Sequence, residues 1–298
     1  MKTKLKSLLA GLLVVASGYS LQANALPNET FSFHQHTGFV VDPGWLMSTT
    51  GANNIGWYQY ASTPNPPPGE YNTIAWGVPV TNSGGGLLAS DPFVPSLNDP
   101  MRDLSGLRVI GYQGTFSTGA TIWGEQTHWG NWATISTIYH QNRPIYFTAA
   151  TLLSAVVFSD LIIDHSPEGD IFGSPNGIPI GFRETFNALP CLPEGNPNGS
   201  VCDDVFAFPA VGFAPVFFNL NGHWYEIEFG LANFQNSVTD FPLCNANPGS
   251  CTVWTAEGVT SSMDVVMRIR EIPEPASLLL VSLGLLGLGF GARRKLRA

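Results

Sequence analysis

Between Leu26 and Ile272 the sequence contains no lysine. Apart from histidine, its basic side chains there are Arg102, Arg108, Arg143, Arg183, Arg268 and Arg270. Against these six stand 21 Asp and Glu, which leaves a net charge of −15 over 247 residues. A surface of that sign repels phosphate backbones, so nucleic acid is excluded as a partner. The same stretch lacks any long segment with an apolar period near 3.6, which argues against packed amphipathic helices. No internal repeat and no composition break forces a division into two domains, and the length suits one large β domain or two small ones. Catalytic signatures are missing too: there is no G-x-S-x-G elbow, no H-E-x-x-H and no Walker loop.

Cysteine is scarce, with only Cys191, Cys202, Cys244 and Cys251. They form two close pairs, each across a Pro/Gly/Asn-rich loop, and neither spacing is the C-x-x-C of a zinc site. Three pairings are open in principle. Short loops close at small entropic cost, which favours the local bridges Cys191–Cys202 and Cys244–Cys251 in an oxidising compartment.

What is present in abundance is Gly and Pro, 32 and 23 residues, punctuating β-branched and aromatic runs. Leu107 to Tyr112, Trp132 to Tyr139, Leu152 to Ile163, Phe206 to Phe218, His223 to Phe229 and Met263 to Ile269 read as strands. In the fifth, Trp224, Glu226 and Glu228 face one way and Tyr225, Ile227 and Phe229 the other. In the sixth, Val265, Met267 and Ile269 alternate with Val266, Arg268 and Arg270. Many short strands with turn signals predict an all-β body, a β-sandwich or jelly roll. Asn65 to Gly69, Ser83 to Gly86 and Pro190 to Ser200 read as loops.

The two ends differ from this body. Lys2, Lys4 and Lys6 precede an apolar run from Leu8 to Ala16 and an A-x-A site at Ala23 to Ala25, the layout of a secretory signal peptide cleaved after Ala25. At the other end Pro273-Glu274-Pro275 is followed by Ala276 to Ala292, 17 residues without charge, and then by Arg293, Arg294, Lys295 and Arg297. That run is at the short limit for a transmembrane helix, and the basic cluster would stay cytoplasmic. The expected organisation is a signal peptide at 1–25, an exported β-rich domain at 26–272 and a C-terminal segment at 273–298.

A Pro-Glu-Pro triplet, an apolar helix and a terminal basic cluster in that order resemble the PEP-CTERM sorting signal. The resemblance implies processing near the triplet by an exosortase, a membrane cysteine transpeptidase, with the inner membrane as a partner during transit. It also implies a cell-surface or extracellular destination, in a host that makes exopolysaccharide. Prolines resist helix and sheet pairing, which keeps such a triplet extended and reachable.

Three further segments resemble the THxN group of such proteins: Ile74 to Pro79, Thr127-His128-Trp129-Gly130-Asn131, and Ile138 to Ile145. The name-giving motif would be His140-x-Asn142 followed by Pro144-Ile145; Tyr139 stands where that group has threonine. The group implies no known reaction. Physically, a His and an Asn just before proline suit a tight connection in which side chains bond nearby backbone; a ligand or metal role is the sharper alternative.

Other candidates are weaker. Glu226 and Glu228, about 7 Å apart on one strand face, would suit a glycosidase acid–base pair, although solvated faces carry paired acids routinely. Asp160, Asp164, Glu168 and Asp170 admit a loop calcium site, without EF-hand spacing; no other cofactor is expected. Trp123, Trp129 and Trp132 would offer flat faces to sugars or fill the core. His34 and His36 form an H-x-H pair, read more simply as part of a free, solvated terminal segment. The leading expectation is a surface or extracellular-matrix protein without catalytic activity. A carbohydrate-binding module acting on exopolysaccharide comes second, and a secreted glycan hydrolase third.

Overall fold

Runs of Val, Ile, Phe and Tyr interrupted by Gly and Pro give strands wherever one face can be buried, because branched and aromatic side chains pack well on a pleated surface. The computed structural model describes residues 29–40, 48–49, 55–58, 60, 70–77, 86–88, 91–94, 104–119, 128–145, 151–165, 169–185, 202–241, 243–245 and 250–272. In chain order the strands are β1 (Thr30–Val40), β2 (Ser48–Thr49), β3 (Gly56–Tyr58), β4 (Glu70–Tyr71), β5 (Thr73–Trp76) and β6 (Gly86–Leu87). Next come β7 (Ser105–Gly111), β8 (Gln113–Ser117), β9 (Ala133–Gln141), β10 (Leu152–His165), β11 (Gly169–Arg183) and β12 (Asp204–Phe208). The last six are β13 (Val216–Leu220), β14 (His223–Gln235), β15 (Ser237–Thr239), β16 (Cys244–Asn245), β17 (Cys251–Thr255) and β18 (Thr260–Ile272).

Two sheets result. The first runs β15-β17-β12-β11-β10-β1-β4, with β2 also on β10 and β8 also on β1. The second runs β13-β14-β18-β9-β7-β5-β3-β6, with β16 also on β14. Pairing is antiparallel except between β3 and β6. The chain passes between the sheets at Tyr112, where β7 ends in one and β8 begins in the other. There Tyr112 N–H donates to Ile135 O, and Tyr112 O accepts from Gln35 N–H, both at 2.8 Å, so the crossing leaves no backbone group unpaired.

The sheets pack in a sandwich-like arrangement over two apolar clusters. One joins Phe39, Leu152, Phe182 and Phe206 of the first sheet to Ile74, Trp76, Leu107 and Met263 of the second. The other joins Phe31, Phe33, Leu161 and Ile163 to Tyr225, Ile227, Met267 and Ile269. All-β architecture therefore holds, as the turn-punctuated sequence predicts. The signal peptide and the C-terminal helix expected at the two ends lie outside the described residues.

Four local readings change. The stretch Phe206 to Phe218 is two strands, β12 and β13, separated by a 3-10 turn at Ala210–Phe213. Pro209 and Pro215 flank that turn, and proline lacks the N–H a continuous ladder needs. His34 and His36 belong to β1, an eleven-residue strand paired with β10 from Ser32 to Phe39, not to a free terminus. In β18 the pairing to β9 shifts register at Val265/Val266. This bulge leaves Val266 buried beside buried Met267, where simple alternation places Val266 outward. Of Ser83 to Gly86, Gly86 starts β6.

Candidate functional site

The His140-x-Asn142 segment closes β9 in the middle of the sandwich. His140 and Asn142 are both fully buried. Asn142 holds a turn in the way its chemistry suggests. Its Nδ2 donates to Thr255 O at 3.1 Å, its N–H donates to Val259 O and its carbonyl accepts from Gly258 N–H. The departure at Tyr139 leaves this cluster alone, because successive strand residues point to opposite faces. Tyr139 looks toward Tyr112 and Asp264, and burial together with those neighbours raises its hydroxyl pKa to about 12.

Around His140 the two sheets bring together side chains far apart in sequence. Trp76 of β5 stacks on its ring, with Phe182 of β11 and Phe206 of β12 edge-on. Thr255 of β17 bonds His140 Nδ1 at 2.8 Å and donates its own hydroxyl proton to Asp204 O at 3.4 Å. With that proton spent, Thr255 Oγ1 accepts from His140, which fixes the tautomer with hydrogen on Nδ1. The Nε2 lone pair is then left without a hydrogen-bond partner and faces Asp204 Oδ2, also without one, across 3.7 Å. Asp204 Oδ1 is held by Thr185 N–H at 2.9 Å. Beside it Glu184 Oε2 accepts from Trp76 Nε1 at 2.8 Å, while Oε1 has no hydrogen bond.

Burial favours the neutral form of each of these groups. Burial alone lowers His140 to about 3. Burial also raises Glu184 to about 8, helped by the charge of Glu257 and opposed by the Trp76 N–H. Asp204 is pushed well above the usual carboxylate range, first by burial and then by the neighbouring Glu184. The result is a buried pair of acids, both pushed toward their protonated forms, beside a neutral imidazole and walled by aromatic rings. Sequence reading singled out His140 and Asn142, and the Ile74 to Pro79 segment that contains Trp76, but missed Glu184, Asp204 and Thr255, which only the sheet-to-sheet packing brings near.

The segments flanking this cluster interlock. Gly77 follows Trp76 with φ +105°, and a Cβ there would sit 2.3 Å from Ile145 Cγ2, so the glycine and the Pro144-Ile145 corner need each other. Gly130 N–H donates to Ile269 O at 2.9 Å, which ties the Trp129-Gly130 segment to β18.

The remaining candidates separate. Glu226 and Glu228 do share a face of β14, but each is neutralised by an arginine of β18. Arg270 Nε donates to Glu226 Oε2 at 2.8 Å and Arg268 Nε to Glu228 Oε2 at 2.6 Å, while Asn245 Nδ2 also bonds Glu228. The guanidinium of Arg268 lies 4.6 Å from the Trp129 ring and 4.4 Å from Trp132, and that of Arg270 lies 4.3 Å from Trp129. Trp123 and Glu168 lie outside the described residues. Asp164 stands opposite Asp170 across the β10–β11 ladder and 3.8 Å from His34 Nε2, while Asp160 is the register partner of His36. Among the described residues no group of three or more His, Cys, Asp or Glu is placed to hold a metal ion. A shallow depression against β11, β12 and β17, lined by Leu153, Arg183, Val205 and Trp254 among others, includes no acid and no histidine. Cys244 and Cys251 form a disulfide with Cα atoms 5.8 Å apart. Cys191 lies outside the described residues, and with it the pairing expected for Cys202.

β18 ends at Ile272, and Pro273, Glu274, Pro275, Arg293, Arg294 and Lys295 lie beyond the described residues. Residues 271–295 match the family model described as the PEP-CTERM protein-sorting motif. The PEP-CTERM motif thus begins on the last two residues of the last strand, with no spacer between the folded body and the signal. It implies export, targeting to the cell surface and processing by an exosortase. No curated protein matches the chain. Among the described residues no helix is long and apolar enough to cross a membrane.

Proposed function

We propose that this chain is an exported surface or extracellular-matrix protein that an exosortase cuts near Pro273-Glu274-Pro275, and that it has no catalytic activity of its own. The observation that carries this reading is the PEP-CTERM match at 271–295, which begins on the last two residues of β18. The uncharged run from Ala276 to Ala292 favours lipid at about 0.8 kcal/mol per buried methylene, and Arg293, Arg294 and Lys295 resist crossing. The body is thereby held at the membrane until the chain is cut. The pairing of Glu226 with Arg270 and of Glu228 with Arg268 weighs against the glycosidase reading, since both carboxylates are already engaged by guanidinium groups of β18.

The test is replacement of Pro273-Glu274-Pro275 by alanines in a host with an exosortase. The protein should accumulate uncut in the inner membrane. Surface protein that still carries peptides from Ala276 onward would reduce the tail to an ordinary anchor.

A second reading, exopolysaccharide binding, is favoured by one observation. Trp129 and Trp132 are pinned by Arg268 and Arg270 beside two carboxylates, a mixture of flat apolar rings and polar edges that suits sugars. Loss of binding to the host polysaccharide on Trp132→Ala would support it.

A further inference from the structure

The register of β14 on β18 makes Trp224 the partner of Ile272, the last residue before the Pro-Glu-Pro triplet. On the other side Phe217 of β13 pairs with Glu226, so it is the diagonal neighbour of Trp224 on the same face of the hairpin. These are large apolar side chains left in the open, 50% exposed for Trp224 and 52% for Phe217. Between their strands the chain reverses at Asn221 and Gly222, with φ of 52° and 91°. From Val216 to Trp224 there is no carboxylate, within a body that carries 21. Its one ionisable group, His223, is bonded through Nδ1 to Glu271 at 2.7 Å.

What lies opposite this tip follows from chain length. Ile272 and Ala276 are separated by only Pro273, Glu274 and Pro275. Four residue steps span at most about 14 Å, and about 12 Å in the extended form that prolines favour. The run from Ala276 to Ala292 is about 26 Å long as a helix, short of a hydrocarbon layer of about 30 Å. An inserted segment that short has no slack, so Ala276 lies at the hydrocarbon boundary or below it. The headgroup layer occupies about 5–8 Å of the remaining distance. Ile272 is therefore within about 6–9 Å of the headgroup surface, and Trp224 stands about 5 Å beside it across the ladder.

We infer that the β13–β14 turn is a membrane foot. While the tail is inserted, Phe217 and Trp224 rest in the headgroup layer of the outward-facing leaflet, where an indole places its ring in the apolar zone and its N–H in the wet one. The foot fixes the height and tilt of β18 and so presents the triplet to the protease at one depth. The inference rests on the reading of 276–292 as a membrane segment.

The full-length chain, reconstituted in phosphatidylethanolamine and phosphatidylglycerol vesicles with lipids brominated near the headgroup, tests this. Trp224→Phe removes one of eight tryptophans at an exposed site, and the emission difference between wild type and variant isolates Trp224. That difference signal should be quenched by at least half, and quenching should fall in Phe217→Ser. In a host with an exosortase, Phe217→Ser with Trp224→Ser should slow tail removal several-fold while carbonate-resistant membrane retention is unchanged. An unquenched Trp224 in a chain that resists carbonate extraction overturns the foot and leaves the tail reading standing. Carbonate release of the wild-type chain overturns both.

Discussion

Trp76 and His140 lie face to face between the two sheets, 6.0 Å apart and 10° from parallel. Each also reaches a different acid: the indole N–H bonds Glu184, and the imidazole Nε2 faces Asp204. The stack therefore joins one sheet to two buried acids of the other.

Replacing His140 with alanine should cost about 3–5 kcal/mol, because it opens a cavity against Phe182 and Phe206 and strips a partner from buried Thr255 Oγ1. His140→Asn, which retains a polar group there, should cost less. Urea unfolding of chains ending at Ile272 measures both. A His140→Ala loss under about 1 kcal/mol would mean that the cluster collapses without consequence.

Stability should depend on pH in a way set by these groups. Glu184 is raised to about 8 when folded, so its contribution is complete below its ordinary value of 4.5 and is lost as pH rises toward 8. Asp204, raised for the same reason, acts in the same direction. His140 works oppositely: lowered to about 3, it must be neutral in the fold, so stability falls as pH drops below 6.5. Between about 4.5 and 6.5 the two acids outweigh the one imidazole, so the contribution of these groups is greatest at about pH 4 and declines from there toward pH 8. Glu184→Gln should flatten the alkaline side of a melting-temperature profile, and an unchanged profile would contradict the assignment.

The sequence showed the strands because burial of one face writes a period of two, and His223 to Phe229 buries Tyr225 and Ile227 as that period demands. It pointed to His140 and Asn142 through a family resemblance, and their place before proline suggested a turn. It hid Asp204, which is 64 residues from His140 and meets it only because β12 and β9 lie in facing sheets. The ion pairs of Glu226 and Glu228 were hidden likewise, since register between β14 and β18 decides which arginine each meets. Val265 and Val266 misled because a bulge leaves no mark in composition.

Gly77 offers a test of backbone against packing. Gly77→Ala brings a methyl against Ile145 and holds a non-glycine residue at φ +105°. The expected loss is above about 2 kcal/mol, combining overpacking with an unfavourable φ. Adding Ile145→Ala relieves only the first part, so the double variant should remain less stable than Ile145→Ala alone by about 1–2 kcal/mol. Full rescue would show that the clash, and not the dihedral angle, makes glycine necessary.

Arg268 and Glu228 are bonded to each other, yet their loss should not be equal. Glu228 gives up one partly exposed ion pair and a bond from Asn245, and pairs of this kind contribute about 0–1 kcal/mol. Arg268 gives up the same pair together with contacts to the Trp129 and Trp132 rings, each adding about 0.5–1 kcal/mol. Lysine keeps the charge but not the planar group that lies over the rings and bonds the carboxylate at once. Arg268→Lys should therefore destabilise by about 1–2 kcal/mol and Glu228→Gln by less. The gap between them should persist at 1 M salt, where the exposed ion pair is screened to a Debye length of about 3 Å. Equal losses that vanish together in salt would reduce the arrangement to its charges and leave the tryptophan contacts without an energetic role.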